Sequence, residues 1–91
     1  MINEPTNVRP GDEGYWELTV TDAWRDDCGW AANGCWVERA YLPDPEGNLS
    51  ERTAMRRLKG FLGRGGERWD SIGAGMYKVR NCAIVAWLEY V

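Results

Sequence analysis

Asn48–Gly63, NLSERTAMRRLKGFLG, is the stretch on which the reading of this chain turns, because it alone carries a clear helical signature. Asn48 or Ser50 can serve as N-cap; in the first case Glu51 falls at the third helical position and completes a capping box. Ala54, Met55, Leu58, Phe61 and Leu62 recur at helical spacing and form one apolar stripe. Arg52, Arg56 and Lys59, at i, i+4 and i+7, occupy a different face. Gly63 fits the left-handed stop, and Arg64-Gly65-Gly66 does not continue the helix easily. Such a helix needs an apolar surface to cover.

Strand patterns on both sides supply that surface. Tyr15 to Trp24 alternates, with Trp16, Leu18 and Val20 on one side and Trp24 in phase, against Tyr15, Glu17, Thr19 and Thr21 on the other. Cys35 to Leu42 reads as a second strand with Trp36, Ala40 and Leu42 on one face and Val37 and Tyr41 on the other. Asn33-Gly34 is a hairpin signal, and two registers compete. A tight turn there sets Ala32 opposite Cys35, whereas a wide loop ends the first strand near Arg25. Only the wide loop lets Cys28 meet Cys35, since the tight one separates them beyond disulfide reach. Trp69 to Arg80 reads as a third strand, interrupted at Gly73-Ala74-Gly75 by a bulge or a close approach. Ala83 to Val91 is a fourth, apolar on both faces and so expected at the centre of the sheet or under a partner. Met1 to Gly14 reads as an irregular arm. The expectation is one α+β domain over residues 1–91: ββαββ, a four-stranded antiparallel sheet with one helix packed on one face.

Composition narrows the function. The 91 residues hold no His, which removes the commonest general base and metal ligand. Three Cys without a CxxC pair are a poor match to structural zinc, and Cys82 beside Arg80 reads as a small buried hydrophobe rather than a nucleophile. No phosphate loop is present: the Gly-rich run Gly60–Gly66 follows a helix instead of opening one. No catalytic, cofactor or metal constellation is therefore expected. A net charge of −3 argues against binding that rests on phosphate neutralisation. The basic helix face and the sheet aromatics still keep a nucleic-acid-binding regulator as the alternative. MINEPTNVRPGDEG lacks an apolar signal region, and no run spans a bilayer, so a cytoplasmic protein with reduced thiols is expected.

Six Trp and four Tyr stand against one Phe, which is more amphipathic aromatic surface than a small core absorbs. Aromatic anchors rimmed by charge are the anatomy of a protein interface. Trp36 and Trp87 are the expected anchors on the helix-free face of the sheet, although phase alone does not fix the face each takes. Asp22, Asp26 and Asp27 are the expected acidic rim, and a hard cation at these acids is a lesser reading. Self-association through this face or a sheet edge, as a homodimer or an assembly accessory, is equally allowed.

The stretches YWELTVTDAW, LSERTAMRRLKGFLG and AIVAWLEYV, in a short, acidic, aromatic-rich chain, resemble in style the anti-CRISPR proteins encoded by phages. The resemblance implies a non-enzymatic, stoichiometric inhibitor of a host Cas protein or complex. It would act by steric occlusion or by acidic mimicry of DNA. The arginines interspersed among the acids make contact-blocking at least as good a reading as mimicry.

Overall fold

The computed structural model describes residues 4–91; Met1 to Asn3 of the expected arm lie outside the described residues. The elements are β1 (Tyr15–Asp26), β2 (Gly29–Pro43), α1 (Glu51–Phe61), β3 (Trp69–Gly73), β4 (Met76–Val79) and β5 (Ile84–Tyr90). They build one antiparallel five-stranded sheet in the order β2-β1-β5-β4-β3, with α1 on one face. The fold is α+β as expected, but with five strands in the order ββαβββ rather than four in ββαββ. The stretch Trp69 to Arg80 is a hairpin. Gly73 pairs with Met76, and the chain reverses through Ala74-Gly75 with Gly75 at φ +70°. A side chain at Gly75 would also meet the Leu88 carbonyl at 2.9 Å. The glycines read from sequence as a bulge or a close approach thus make a turn whose backbone closely approaches β5, and the β3–β4 register also shifts between Ser71 and Gly73.

The core lies between α1 and the sheet. Ala54 and Leu58 are fully buried against Leu18 and Val20 of β1, Ala40 and Leu42 of β2, and Ala86 and Leu88 of β5. Register puts these residues in rows, with Leu18 between Ala40 and Leu88 and Val20 beside Ala86. Met55 and Leu62 pack at the margin, whereas Phe61 is exposed and does not belong to the stripe. Of the two N-cap candidates, Ser50 caps the helix by accepting from the Thr53 N–H at 3.1 Å, so the capping box that an Asn48 cap would allow does not form. At the other end Gly63, at φ +76°, donates to the Gly60 carbonyl and Arg64 to the Lys59 carbonyl. This is the paired stop that a left-handed glycine permits.

β5 is the middle strand, as its two-faced apolarity indicated. The arm is irregular but fastened: Thr6 exchanges two backbone hydrogen bonds with Tyr41, and Arg9 Nε donates to the Tyr15 hydroxyl at 2.7 Å. The Thr6 pairing covers part of the outer edge of β2.

Candidate functional site

The β1–β2 hairpin follows neither expected register. It turns at Asp27-Cys28, with Asp26 opposite Gly29 and an Asp26 carboxylate oxygen accepting from the Cys28 N–H at 2.8 Å. Asn33-Gly34 does bend the chain, but inside a bulge: Thr21 faces Val37 while Ala23 faces Ala32. Asp22 holds the extra residues. Its carboxylate accepts from the backbone N–H groups of Cys35 (2.8 Å) and Trp36 (3.2 Å), the Asn33 amide (2.7 Å) and the Thr21 hydroxyl (3.1 Å). Partial burial pushes this carboxyl up, but the donors from Asn33, Trp36, Thr21 and Cys35 outweigh it and lower it to about 2. Asp22 is therefore an acceptor built into the hairpin, not an open rim acid.

The bulge fixes Trp36. Strand phase from Glu38 and Ala40 puts its side chain on the helix side, not on the helix-free face. The Arg64 guanidinium lies 5.6 Å from its ring centroid, and Arg64 is itself held by Glu38 (3.1 Å) and Glu67 (2.8 Å). Trp36 still exposes 38 % of its surface, and Trp24, in phase on the same side, exposes 47 %. Trp87, paired with Thr19, is half-buried on the opposite face. Trp36 and Trp87 are thus on opposite faces of the sheet and cannot anchor one contact.

The helix-free face is also less open than the sequence implied. Thr21, Val85 and Lys78 form one row across it, and the Trp30 ring from the hairpin tip sits 4.4 Å from Lys78 Nζ. The bulged hairpin therefore curls back over this face, where Thr19, Thr21 and Val85 are buried. None of the six Trp is fully buried: Trp24 and Trp36 are exposed and the others half-buried. Asp26 and Asp27 remain at the exposed tip.

A second feature lies on the other flank of the helix. A groove of about 440 Å³ is lined by Arg52, Met55, Arg56, Lys59, Gly65, Trp69 and Tyr77. The basic face read at i, i+4, i+7 is one wall, and the β3–β4 hairpin supplies the aromatic wall. Lys59 Nζ lies 4.8 Å from the Trp69 ring centroid and donates to the Glu67 carbonyl at 2.9 Å. Trp69 and Tyr77 stand 6.3 Å apart, centroid to centroid. The Tyr77 hydroxyl donates to Glu51 at 3.0 Å; burial first and this acceptor second push the phenol up.

Among the described residues no cluster of Cys, Asp or Glu is placed to hold a metal, so Asp22, Asp26 and Asp27 do not gather as a cation site. No described helix is long and apolar enough to cross a membrane. Cys28, Cys35 and Cys82 are free and exposed, and the buried-hydrophobe reading of Cys82 is corrected. All three should take up a thiol reagent in the folded protein without denaturant. A folded product carrying fewer than three labels, measured by intact mass, would contradict that exposure. Comparison with protein-family models, with curated proteins and with solved structures finds no match to this chain.

Proposed function

We propose that this protein is a non-enzymatic protein-binding module that docks through the helix-side surface of the bulged hairpin, with Trp36 and Trp24 as anchors. The observation that carries the reading is the state of Trp36. An exposed Trp costs little to immobilise when its backbone is already pinned by Asp22 and its ring is already stacked on Arg64. Asp26 and Asp27 at the tip act as the acidic rim that speeds association. Asp22 contributes indirectly by holding the bulge, and Trp87 stays outside the contact. The half-buried carboxylate of Asp22 and the buried one of Asp44 are both spent on structural N–H donors, which supports a non-enzymatic reading.

The anti-CRISPR resemblance supplies the partner class, a host Cas protein or complex blocked by occlusion in the host cytoplasm. The test is capture of purified Cas complexes by the wild type, Trp24→Ala and Trp36→Ala, with thermal melts in parallel. Each substitution should weaken binding by about 2 kcal/mol, roughly thirtyfold, while leaving the melt nearly unchanged. Binding that is absent in the wild type, or unchanged in both variants, overturns the proposal.

A further inference from the structure

We infer that the groove between α1 and the β3–β4 hairpin is a binding site for single-stranded nucleic acid, with Arg52 and Arg56 on phosphates and Trp69 and Tyr77 against a base. This site is separate from the hairpin surface and does not rest on the docking reading above.

Most of the cations near the sheet are already committed. Arg39 pairs with Glu17, Arg64 with Glu38 and Glu67, and Arg80 with Asp70; Arg25 and Lys78 both lie against Trp30. Arg52 and Arg56, both exposed, make no ion pair among the described residues. Standing one helical turn apart, they present two guanidinium forks along one wall of a concavity.

The neighbouring acids, which would otherwise repel a phosphate, are engaged. Glu67 is occupied by Arg64 and by the Trp69 indole N–H at 3.0 Å, and Glu51 accepts from Tyr77. These same bonds orient the two aromatic side chains that line the groove. Loose cations beside fixed aromatic surface are what single-strand binders combine, since every base has a face to stack. An acidic polypeptide would use the charges but leave Trp69, Tyr77 and Met55 without a matching surface. The net charge of −3 does not decide the matter, because the acids at Asp12-Glu13, Asp22, Asp26-Asp27 and Asp44 do not line the groove.

The test is fluorescence anisotropy of labelled oligo-dT and oligo-rU titrated with the full chain at a series of salt concentrations. Engaging two or three cations predicts a log–log salt slope between about −1.4 and −2.1. Arg52→Ala/Arg56→Ala should weaken binding by about tenfold or more and flatten that slope by roughly 1.4. Both positions are exposed on the helix, and alanine favours helix, so a melt should confirm an intact fold. Arg39→Ala/Arg80→Ala removes the same charge from committed positions and should change binding little. Failure of both oligonucleotides to bind at low salt overturns the inference, as does equal loss in the two double variants. Equal displacement by poly-glutamate would also overturn it, assigning the groove to acidic polypeptide instead. A preference between oligo-dT and oligo-rU identifies which nucleic acid the groove takes.

Discussion

Replacing Asp44 by Ala should cost about 3 kcal/mol or more, because it removes a buried carboxylate that serves three N–H donors at once. Asp44 is 1 % exposed, and its carboxylate accepts from the Asn48 N–H at 2.9 Å, the Leu49 N–H at 3.0 Å and the Trp16 indole at 3.0 Å. Its carbonyl accepts from the Tyr90 hydroxyl at 2.5 Å. One residue thus ties the β2–α1 connection to β1 and β5. Burial pushes the Asp44 carboxyl up, but the N–H donors of Leu49, Trp16 and Asn48 outweigh it and hold it below the usual carboxylate range. A folded value below the unfolded one adds stability above the ordinary value near ~3.9, and that stability is lost as pH falls through the depressed folded value. Asp22, lowered to about 2, acts in the same direction. Urea denaturation at neutral pH and near pH 3 checks both points. The gap between wild type and Asp44→Asn should shrink in acid, and a pH-independent gap would mean that the charge contributes nothing.

Leu58→Ala should cost about 2–5 kcal/mol, the range for truncating a buried leucine. Leu58 has no exposed surface and belongs to a buried cluster drawn from the helix and three strands, so little can collapse into the space. A loss of that size is a large fraction of the roughly 5–15 kcal/mol that holds a domain folded. Arg56→Ala, two residues back on the exposed side of the helix, should shift stability by less than about 0.5 kcal/mol. Denaturation midpoints of the pair measure the helix's orientation directly. Equal effects would mean that α1 does not present Leu58 to the sheet.

What was legible in the sequence was what local periodicity encodes. The phase of Leu18 and Val20 located the helix-side face of β1, and the two-faced apolarity of β5 matched its place in the middle of the sheet. The spacing of Ala54 and Leu58 did the same for the helix, and Gly63 marked its end. The β3–β4 hairpin escaped because Ala74-Gly75 is not a strong turn dipeptide and the flanking strands are short. The bulge escaped because its cause is an acceptor on the facing strand: nothing around Asn33 announces that Asp22 will gather the N–H groups of Cys35 and Trp36. Asp44 stood among the acids without distinction, since its importance comes from Trp16 and Tyr90, both distant in sequence. The groove was half legible. Its arginines were visible as a helix face, but the aromatic wall exists only once Trp69 and Tyr77 belong to a hairpin rather than to one long strand.

The position of β5 between β1 and β4 bears on the order in which the sheet assembles. The β1–β2 and β3–β4 hairpins join strands that are neighbours in the chain, so each closes a short loop and forms on a microsecond scale. Insertion of β5 is different: Trp16 meets Tyr90 only by closing nearly the whole chain. Until then the inner edges of β1 and β4 are unpaired and sticky. Stopped-flow refolding should therefore show a rate that slows when β5 is weakened at Ala86, whereas changes at the hairpin tip should mainly alter unfolding. A tip substitution that slowed refolding more than one at Ala86 would place the nucleus in the hairpin instead. On this order of events the chain is most prone to aggregate while β5 is still being synthesised, a hazard set by topology rather than by any exposed residue of the finished fold.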